Sequence, residues 1–231
     1  SPRATAGLPF DMHPEFRGAN QSSHDSSSNA QGVVGALQKA LDTARPPSAT
    51  IASETKRRRI LVIGDSNTGG QKEALDQKYS RDPNTVIEVY YENGASTKKT
   101  YEQIKDPKSK LRYIINNFGP THIVVGSLGG NDWPQACPGA EASFQRYIEN
   151  YVKPLMIYIK ARNGSWGGLP PSGPKVTRSC GGKPRLLQPM RVKINNRYKQ
   201  VAEEIGLEYR DVMGSGFFNP PGDQEHIPRR K

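Results

Sequence analysis

The stretch Ile60-Leu61-Val62-Ile63-Gly64-Asp65-Ser66 decides the predicted fold of this chain. Its apolar residues form a continuous run that ends at a glycine, which is typical of a strand buried on both faces of a parallel sheet. A half-buried strand would alternate apolar and polar residues instead. The polar residues that follow are therefore expected at the carboxyl end of a central strand, where open α/β sheets bind their ligands.

Strand-like and helix-like patterns alternate on the carboxyl side of this run. Four further strands are predicted, the third of them weak, over residues 86–91, 122–128, 164–171 and 207–212. Helical patterns between the strands cover residues 97–117, 141–161 and 189–205. Pro107 and Pro154 are expected to interrupt the first two helices. Alternating strands and helices predict an α/β fold with a mostly parallel sheet covered on both faces.

The first 55 residues differ in composition from the rest of the chain. Residues 1–31 are rich in Ser, Asn, Gly and Pro, a composition that buries too little apolar surface to offset the entropy of ordering. Residues 33–44 carry apolar side chains at helical spacing. We therefore predict a low-complexity arm with one short helix over 1–55 and an α/β domain over 56–231. A protein partner for the arm would contact that short helix.

Composition and charge narrow the classes of function. The chain of 231 residues has a net charge of +11, and residues 160–231 contribute most of it, with 14 basic and 6 acidic residues. A basic surface can bind nucleic acid, anionic glycans or acidic proteins. Aromatic residues are not interleaved with the basic ones, so a solvated basic face is favoured over nucleic-acid binding. No run of about 18 apolar residues occurs, so no membrane span is expected.

The chain has two cysteines, Cys137 and Cys180. Two thiolates are too few for a metal site built on several cysteines, and no other ligand set is apparent, so neither a metal nor a cofactor is expected. One disulfide and two free thiols are both compatible with this count, and the spacing does not decide between them. A disulfide would tie the Gly- and Pro-rich loop 163–186 to the segment just after Asn131.

Short polar segments follow the strands. They are Gly64-Asp65-Ser66-Asn67-Thr68, Asn93-Gly94-Ala95-Ser96-Thr97, Gly129-Gly130-Asn131-Asp132 and Asp223-Gln224-Glu225-His226. Because the carboxyl ends of parallel strands lie at one edge of a sheet, we expect these segments to meet. Together they supply a hydroxyl, a backbone N–H donor, an amide and an Asp/His pair. Serine acyl transfer requires these groups.

The four segments, in this order, resemble the four sequence blocks of the SGNH hydrolases, also called the GDSL esterase/lipase family. The Gly-Asp-Ser block matches residues 64–66, the second block matches Gly94, and the Gly-x-Asn-Asp block matches residues 129–132. The Asp-x-x-His block matches residues 223–226. The resemblance covers residues 60–226 and implies a three-layer α/β/α sandwich, flavodoxin-like and of the SGNH hydrolase type.

The resemblance also implies a role for each matched residue. Ser66 would be the nucleophile, His226 its general base, and Asp223 the group that orients the imidazole and stabilises its cation. The backbone N–H groups of Ser66 and Gly94 and the side-chain amide of Asn131 would form the oxyanion hole. The mechanism needs no cofactor.

Single residues among these also have purely structural interpretations. Ser66 fits a helix N-cap, Asn131 fits an Asx-turn, and His226 fits a solvated residue near the end of the chain. The occurrence of all four blocks in order favours the catalytic interpretation. Asp65 and Asp132 are expected to brace their loops by accepting hydrogen bonds from backbone N–H groups.

The implied activity is ester hydrolysis by a serine esterase. The sequence offers little apolar lining for a long acyl chain, so the predicted substrate is an O-acetyl group on a carbohydrate or cell-surface glycan, or a small ester. Trp133 and Trp166 are the candidates for stacking on a sugar ring. The alternative function is a structural or adhesive component of a larger assembly, for example a virion, with a hydrolase fold and docked by the arm.

Overall fold

A parallel sheet lies at the centre of the molecule in the computed structural model, which describes residues 57–213. The predicted arm over 1–55 and the block containing Asp223 and His226 lie outside the described residues. The strands are β1 (Arg58–Gly64), β2 (Thr85–Tyr91), β3 (His122–Ser127), β4 (Trp166–Gly167), β5 (Thr177–Cys180), β6 (Lys183–Leu186) and β7 (Tyr209–Arg210). Five of them form the sheet in the order β2-β1-β3-β4-β7, while β5 and β6 pair as a separate antiparallel hairpin.

Helices connect the strands and cover both faces of the sheet. They are α1 (Ser66–Gly69), α2 (Lys72–Tyr79), α3 (Thr97–Lys105), α4 (Lys110–Phe118), α5 (Glu141–Tyr147), α6 (Lys153–Ala161) and α7 (Leu187–Ile205). The break expected at Pro107 separates α3 from α4, and a π-helical turn, Ile148–Val152, precedes Pro154 between α5 and α6. Within residues 57–213, no helix combines the length and the apolar character that a membrane crossing requires.

Alternate residues of β1 pack on opposite faces of the sheet, as its continuous apolar run predicts. Leu61 and Ile63 belong to a large core formed with helices α3 to α7, whereas Ile60 and Val62 pack with residues of α2 in a smaller core. All four side chains are at most 1% exposed. The three-layer α/β/α sandwich is therefore confirmed, with β1 at its centre.

The segment predicted as a weak strand over 164–171 gives only two residues to the sheet. Beyond them, the N–H of Leu169 donates to Asn195 Oδ1 at 2.8 Å, and the carbonyl of Leu169 accepts from Asn195 Nδ2 at 2.9 Å. Arg191 Nη1 donates to the next carbonyl, that of Pro170, at 2.9 Å. Polar side chains of α7 thus take the place of a neighbouring strand.

The strand order places one crevice at the carboxyl edge of the sheet. β1 is flanked by β2 on one side and by β3 on the other, so the chain winds in opposite directions from this point. In doubly wound sheets, ligands bind outside the carboxyl ends of the strands at such a reversal. The residues that follow β1 and β3 are therefore placed to form a site.

Candidate active site

Ser66 is the first residue of α1, directly after β1. Asp65 caps this helix, because its Oδ1 accepts a hydrogen bond from the Asn67 N–H at 2.9 Å. The N-cap is therefore Asp65, and the structural interpretation of Ser66 as a cap is wrong. Thr68 fixes α1 to the end of β3: its hydroxyl donates to the Ser127 carbonyl at 3.0 Å and accepts from the Ser127 N–H at 2.8 Å.

Asp65 connects the loop after β1 with the loop after β3. Its side chain is 0% exposed, and its Oδ2 accepts a hydrogen bond from the Gly130 N–H at 3.3 Å. Burial raises the pKa of this carboxyl from 3.8 to about 6, opposed by the hydrogen bonds from Asn67 and by the nearby charge of Arg191. Asp65 therefore braces two loops, as expected from the sequence, and its ionised form is disfavoured by burial.

The pKa of Asp65 predicts how stability depends on pH. Because the folded-state pKa is raised to about 6, the folded protein holds this proton more tightly than the unfolded chain. Stability from this group is complete below about pH 4 and is lost as the pH rises through 6. Relative to Asp65→Asn, which cannot ionise, we expect the wild type to lose about 3 kcal/mol across this window. Urea unfolding of both proteins from pH 4 to 7 measures this, and a difference independent of pH would contradict it.

Gly94 and Asn131 come from the loops after β2 and β3. Gly94 has a φ of +74°, a conformation that favours glycine, and nothing lies within 4 Å of the position a Cβ would take. Asn131 Nδ2 donates to the carbonyl of Ala95 at 2.9 Å. This partner lies 36 positions away in the sequence, so Asn131 bridges the loops after β2 and β3.

Asp132 holds the loop after β3 against three helices. Its Oδ1 accepts from the Thr97 N–H at 3.0 Å and from the Tyr147 hydroxyl at 2.5 Å. Its Oδ2 accepts from the Thr97 hydroxyl at 2.5 Å and from the Tyr198 hydroxyl at 2.6 Å. Burial, together with the charge of Asp132, raises the pKa of both tyrosines, so their hydroxyls remain protonated donors. Asp132 is thus a buried acceptor that fixes the position of Asn131.

These loops enclose an open cleft of about 360 Å³ at the carboxyl edge of the sheet. Ser66, Gly94 and Asn131, which belong to three separate segments of the chain, all line it. Two arginines, Arg178 and Arg191, line it as well. The structure therefore brings together the three described residues that the resemblance assigned to the nucleophile and the oxyanion hole.

A disulfide-linked hairpin carries one wall of this cleft. β5 and β6 are joined by Gly181 and Gly182, whose φ angles of +58° and +81° suit the two-residue turn of a tight hairpin. Cys180 in β5 is bonded to Cys137, with the two Cα atoms 5.7 Å apart. Of the two states that the sequence left open, the structure has the disulfide. It attaches the loop 163–186 to the segment that follows Asn131.

Removing this disulfide is expected to lower stability. The bridge joins residues separated by 43 positions, and a loop of this size constrains the unfolded chain strongly. The double variant Cys137→Ser/Cys180→Ser should lose about 3 kcal/mol of unfolding free energy. Thermal unfolding with and without a reductant measures this, because reductant should destabilise the wild type and leave the variant unchanged. A variant as stable as the oxidised wild type would contradict the prediction.

The two tryptophans predicted to stack on a sugar ring do not line the cleft. Trp166 is 0% exposed in β4, where it packs edge-on against Tyr198, so its prediction as a substrate contact is wrong. Trp133 is partly buried, starts a 3-10 helix and packs against the large core. Trp166 belongs to a strand of the sheet, and the 3-10 helix of Trp133 packs against α7, so both side chains contribute apolar surface to the interior.

Sequence reasoning did not single out Arg178 and Arg191. Arg191 is 0% exposed and lies on the inner face of α7, four residues after Leu187 and three before Ile194. The helical spacing of apolar residues in this segment places an arginine at a core position, and this could have indicated a buried arginine. Arg178 gave no such signal, because its place depends on the hairpin and on the disulfide.

His122 is the histidine that falls within residues 57–213. It begins β3, whereas the cleft lies beyond the last residue of that strand, Ser127. At about 3.3 Å per residue the two ends are about 16 Å apart, so His122 cannot reach Ser66. Also within the described residues, no three His, Cys, Asp or Glu side chains gather as metal ligands would.

No protein-family model and no curated protein sequence matches the chain. Solved structures do match. A lipase/acylhydrolase from Enterococcus faecalis has a TM-score of 0.52 at 15% identity, covering 74% of this chain and 88% of its own. A gut microbial diltiazem-metabolizing enzyme has a TM-score of 0.50 at 17% identity, covering 77% of this chain.

The second match concerns a longer protein, since the chain spans 45% of that enzyme's length. At these identities the matches establish the fold. The fold that they establish agrees with the resemblance found in the sequence blocks. The described part of the chain has the esterase/lipase-type fold of the SGNH, or GDSL, hydrolases.

Proposed function

We propose that this protein is a serine esterase in which Ser66 attacks the carbonyl carbon of an ester. One observation carries the proposal: Ser66, Gly94 and Asn131, each from a different loop, line a single cleft at the carboxyl edge of the sheet. In acyl transfer, the nucleophile and the oxyanion donors must act on the same carbonyl group, so these residues must lie close together. The alternative role in an assembly rests on the arm over 1–55 and stays a prediction.

The base in this proposal is His226, oriented by Asp223. A serine hydroxyl becomes an effective nucleophile when a neighbouring imidazole accepts its proton and later returns it to the leaving group. His122 lies at the opposite edge of the sheet, and the resemblance assigns this task to the histidine of the fourth block. β7 also supports it: the strand is parallel to β1, so the chain that leads to Asp223 departs from the edge where Ser66 lies.

The oxyanion would be bound by the N–H groups of Ser66 and Gly94 and by the amide of Asn131. An amide nitrogen carries two hydrogens, so the hydrogen bond from Asn131 Nδ2 to Ala95 leaves a second donor for the substrate. That same bond holds the amide in place before the substrate arrives. Preorganised donors of this kind stabilise the charge that develops in the tetrahedral intermediate.

The proposed substrate class is an ester with a short acyl group, and the proposed reaction is removal of O-acetyl groups from a carbohydrate. The cleft measures about 360 Å³, which is at the small end of about 300–1,000 Å³ for ligand pockets. The described residues that line it are polar residues and glycines, and these offer no apolar channel to a long acyl chain.

Two measurements test the proposal. Hydrolysis of p-nitrophenyl acetate should be readily detected, and p-nitrophenyl decanoate should be a much poorer substrate. A fluorophosphonate, which reacts with activated serines, should add to one residue, identified by peptide mass spectrometry as Ser66. Folded protein that hydrolyses neither ester, or that is labelled at another serine, would refute the proposal.

A further inference from the structure

The cleft has an excess of positive charge next to the proposed nucleophile. Among the described residues that line it, Arg178 and Arg191 are cations and Asp65 carries a carboxyl group. Burial raises the pKa of Asp65 to about 6, so near that pH its negative charge is incomplete. Arg191 is 0% exposed and is held by the carbonyl of Pro170, so it supplies a fixed charge within the wall.

The hairpin directs Arg178 toward the body of the protein. Along β5, Arg178 and Cys180 are half-buried, whereas Thr177 and Ser179 are exposed. Side chains two residues apart lie on the same face of a strand, so Arg178 shares the face of the disulfide. Because Cys180 is bonded to Cys137, the hairpin is tied to the protein two residues from Arg178.

A second arginine lies directly opposite Arg178 in the hairpin. Arg178 pairs with Arg185 of β6, and directly paired residues lie on the same face. Like charges in this arrangement repel each other and weaken the hairpin. A negative group bound beside both guanidinium groups would interact favourably with each of them.

We propose that Arg178 selects esters whose alcohol part carries an acidic group, so that the substrate class is an acylated acidic saccharide. This inference rests on the proposed esterase function. Because the proposed acyl group is small, the alcohol part of the ester is the part of the substrate that would contact the hairpin. A guanidinium binds carboxylate and sulfate groups with two parallel hydrogen bonds, and the fixed charge of Arg191 adds attraction without direct contact.

The test compares two acetate esters that differ by one charge. p-Nitrophenyl acetate is neutral, and 5-acetoxy-2-nitrobenzoate carries a carboxylate on the alcohol part of the same type of ester. For Arg178→Gln we expect kcat/KM for the charged ester to fall at least about fivefold, mainly through KM, with less than a twofold change for the neutral ester. Lys175→Gln is the control: it removes an equal charge from an exposed residue of the same loop that does not line the cleft.

The outcomes separate this inference from the proposed function. Equal losses on both esters in Arg178→Gln, or the same selective loss in Lys175→Gln, would overturn the inference. So would a wild type that does not prefer acetylated polygalacturonate, a polyanion, over neutral acetylated xylan in acetate release. Failure of the wild type to hydrolyse any of these esters, without labelling of Ser66, would overturn the proposed function and this inference with it.

Discussion

Replacing Ser66 with alanine is expected to lower kcat for p-nitrophenyl acetate at least about 1,000-fold. The residual rate would come from the oxyanion donors and from binding alone, since alanine offers no nucleophile. Stability should change little, because Asp65 and not Ser66 caps α1, and Thr68 anchors that helix to β3. The measurement is a steady-state assay together with thermal unfolding of each protein.

A matched control for this experiment is Ser179→Ala. Ser179 is an exposed serine of the hairpin that does not line the cleft, so this variant should keep the wild-type kcat within twofold. If Ser66→Ala retained a tenth or more of the wild-type kcat, Ser66 would not be the nucleophile. If it lost activity together with its fold, the loss would be structural and labelling by the fluorophosphonate would decide.

Replacing Asp132 with alanine is expected to cost at least about 4 kcal/mol of unfolding free energy. The carboxylate accepts four hydrogen bonds, from the Thr97 N–H and hydroxyl and from the hydroxyls of Tyr147 and Tyr198. Asp132 is 2% exposed, so these donors would be left in the interior without this acceptor. A buried donor without a partner costs about 1–3 kcal/mol, and a typical domain has about 5–15 kcal/mol in total.

Tyr147→Phe provides a graded comparison for the Asp132 variant. It removes one of the four donors to Asp132 and the acceptor of the Lys98 N–H, and it keeps the aromatic ring. We therefore expect a loss of about 1–2 kcal/mol and an esterase activity within tenfold of the wild type. Urea unfolding followed by circular dichroism measures both variants. If Asp132→Ala were less than about 1 kcal/mol less stable than the wild type, the four hydrogen bonds would not hold the loop as described.

Local patterns predicted the layers of the fold well. The local signals are the apolar run at residues 60–63, the glycine that follows it and the alternation of strand and helix patterns further along the chain. The apolar run reflects the burial of a strand on both faces. β4 was harder to predict, because only two of its residues pair with neighbours and Asn195 satisfies the next backbone groups from a distant helix. Where side chains of a distant helix bind the backbone in place of a neighbouring strand, the sequence of the bound segment shows no periodic pattern that predicts it.

The site was predicted in part. Ser66, Gly94 and Asn131 each follow a strand, and parallel strands bring such positions to one edge, so their convergence was foreseeable. The placement of Trp166 was not foreseeable from the sequence. A tryptophan in a Gly-rich loop is typical of a substrate-binding residue, but Trp166 is buried in the core. Arg178 lines the cleft because a hairpin and a disulfide position it there. The sequence was compatible with both features but did not predict either of them.

The hydrogen bonds that assemble the cleft also bear on when activity arises during synthesis. They join positions far apart in the chain: 36 residues separate Asn131 from Ala95, 65 separate Gly130 from Asp65, and 66 separate Tyr198 from Asp132. Contacts of this range require the closure of long loops, whose entropy is lost before the contacts stabilise the fold. In a nascent chain whose α7 has not yet emerged from the ribosome, neither Tyr198 nor Arg191 can take its place beside the cleft. Such a chain should therefore lack the proposed esterase activity even though the segment that contains Ser66 has already emerged.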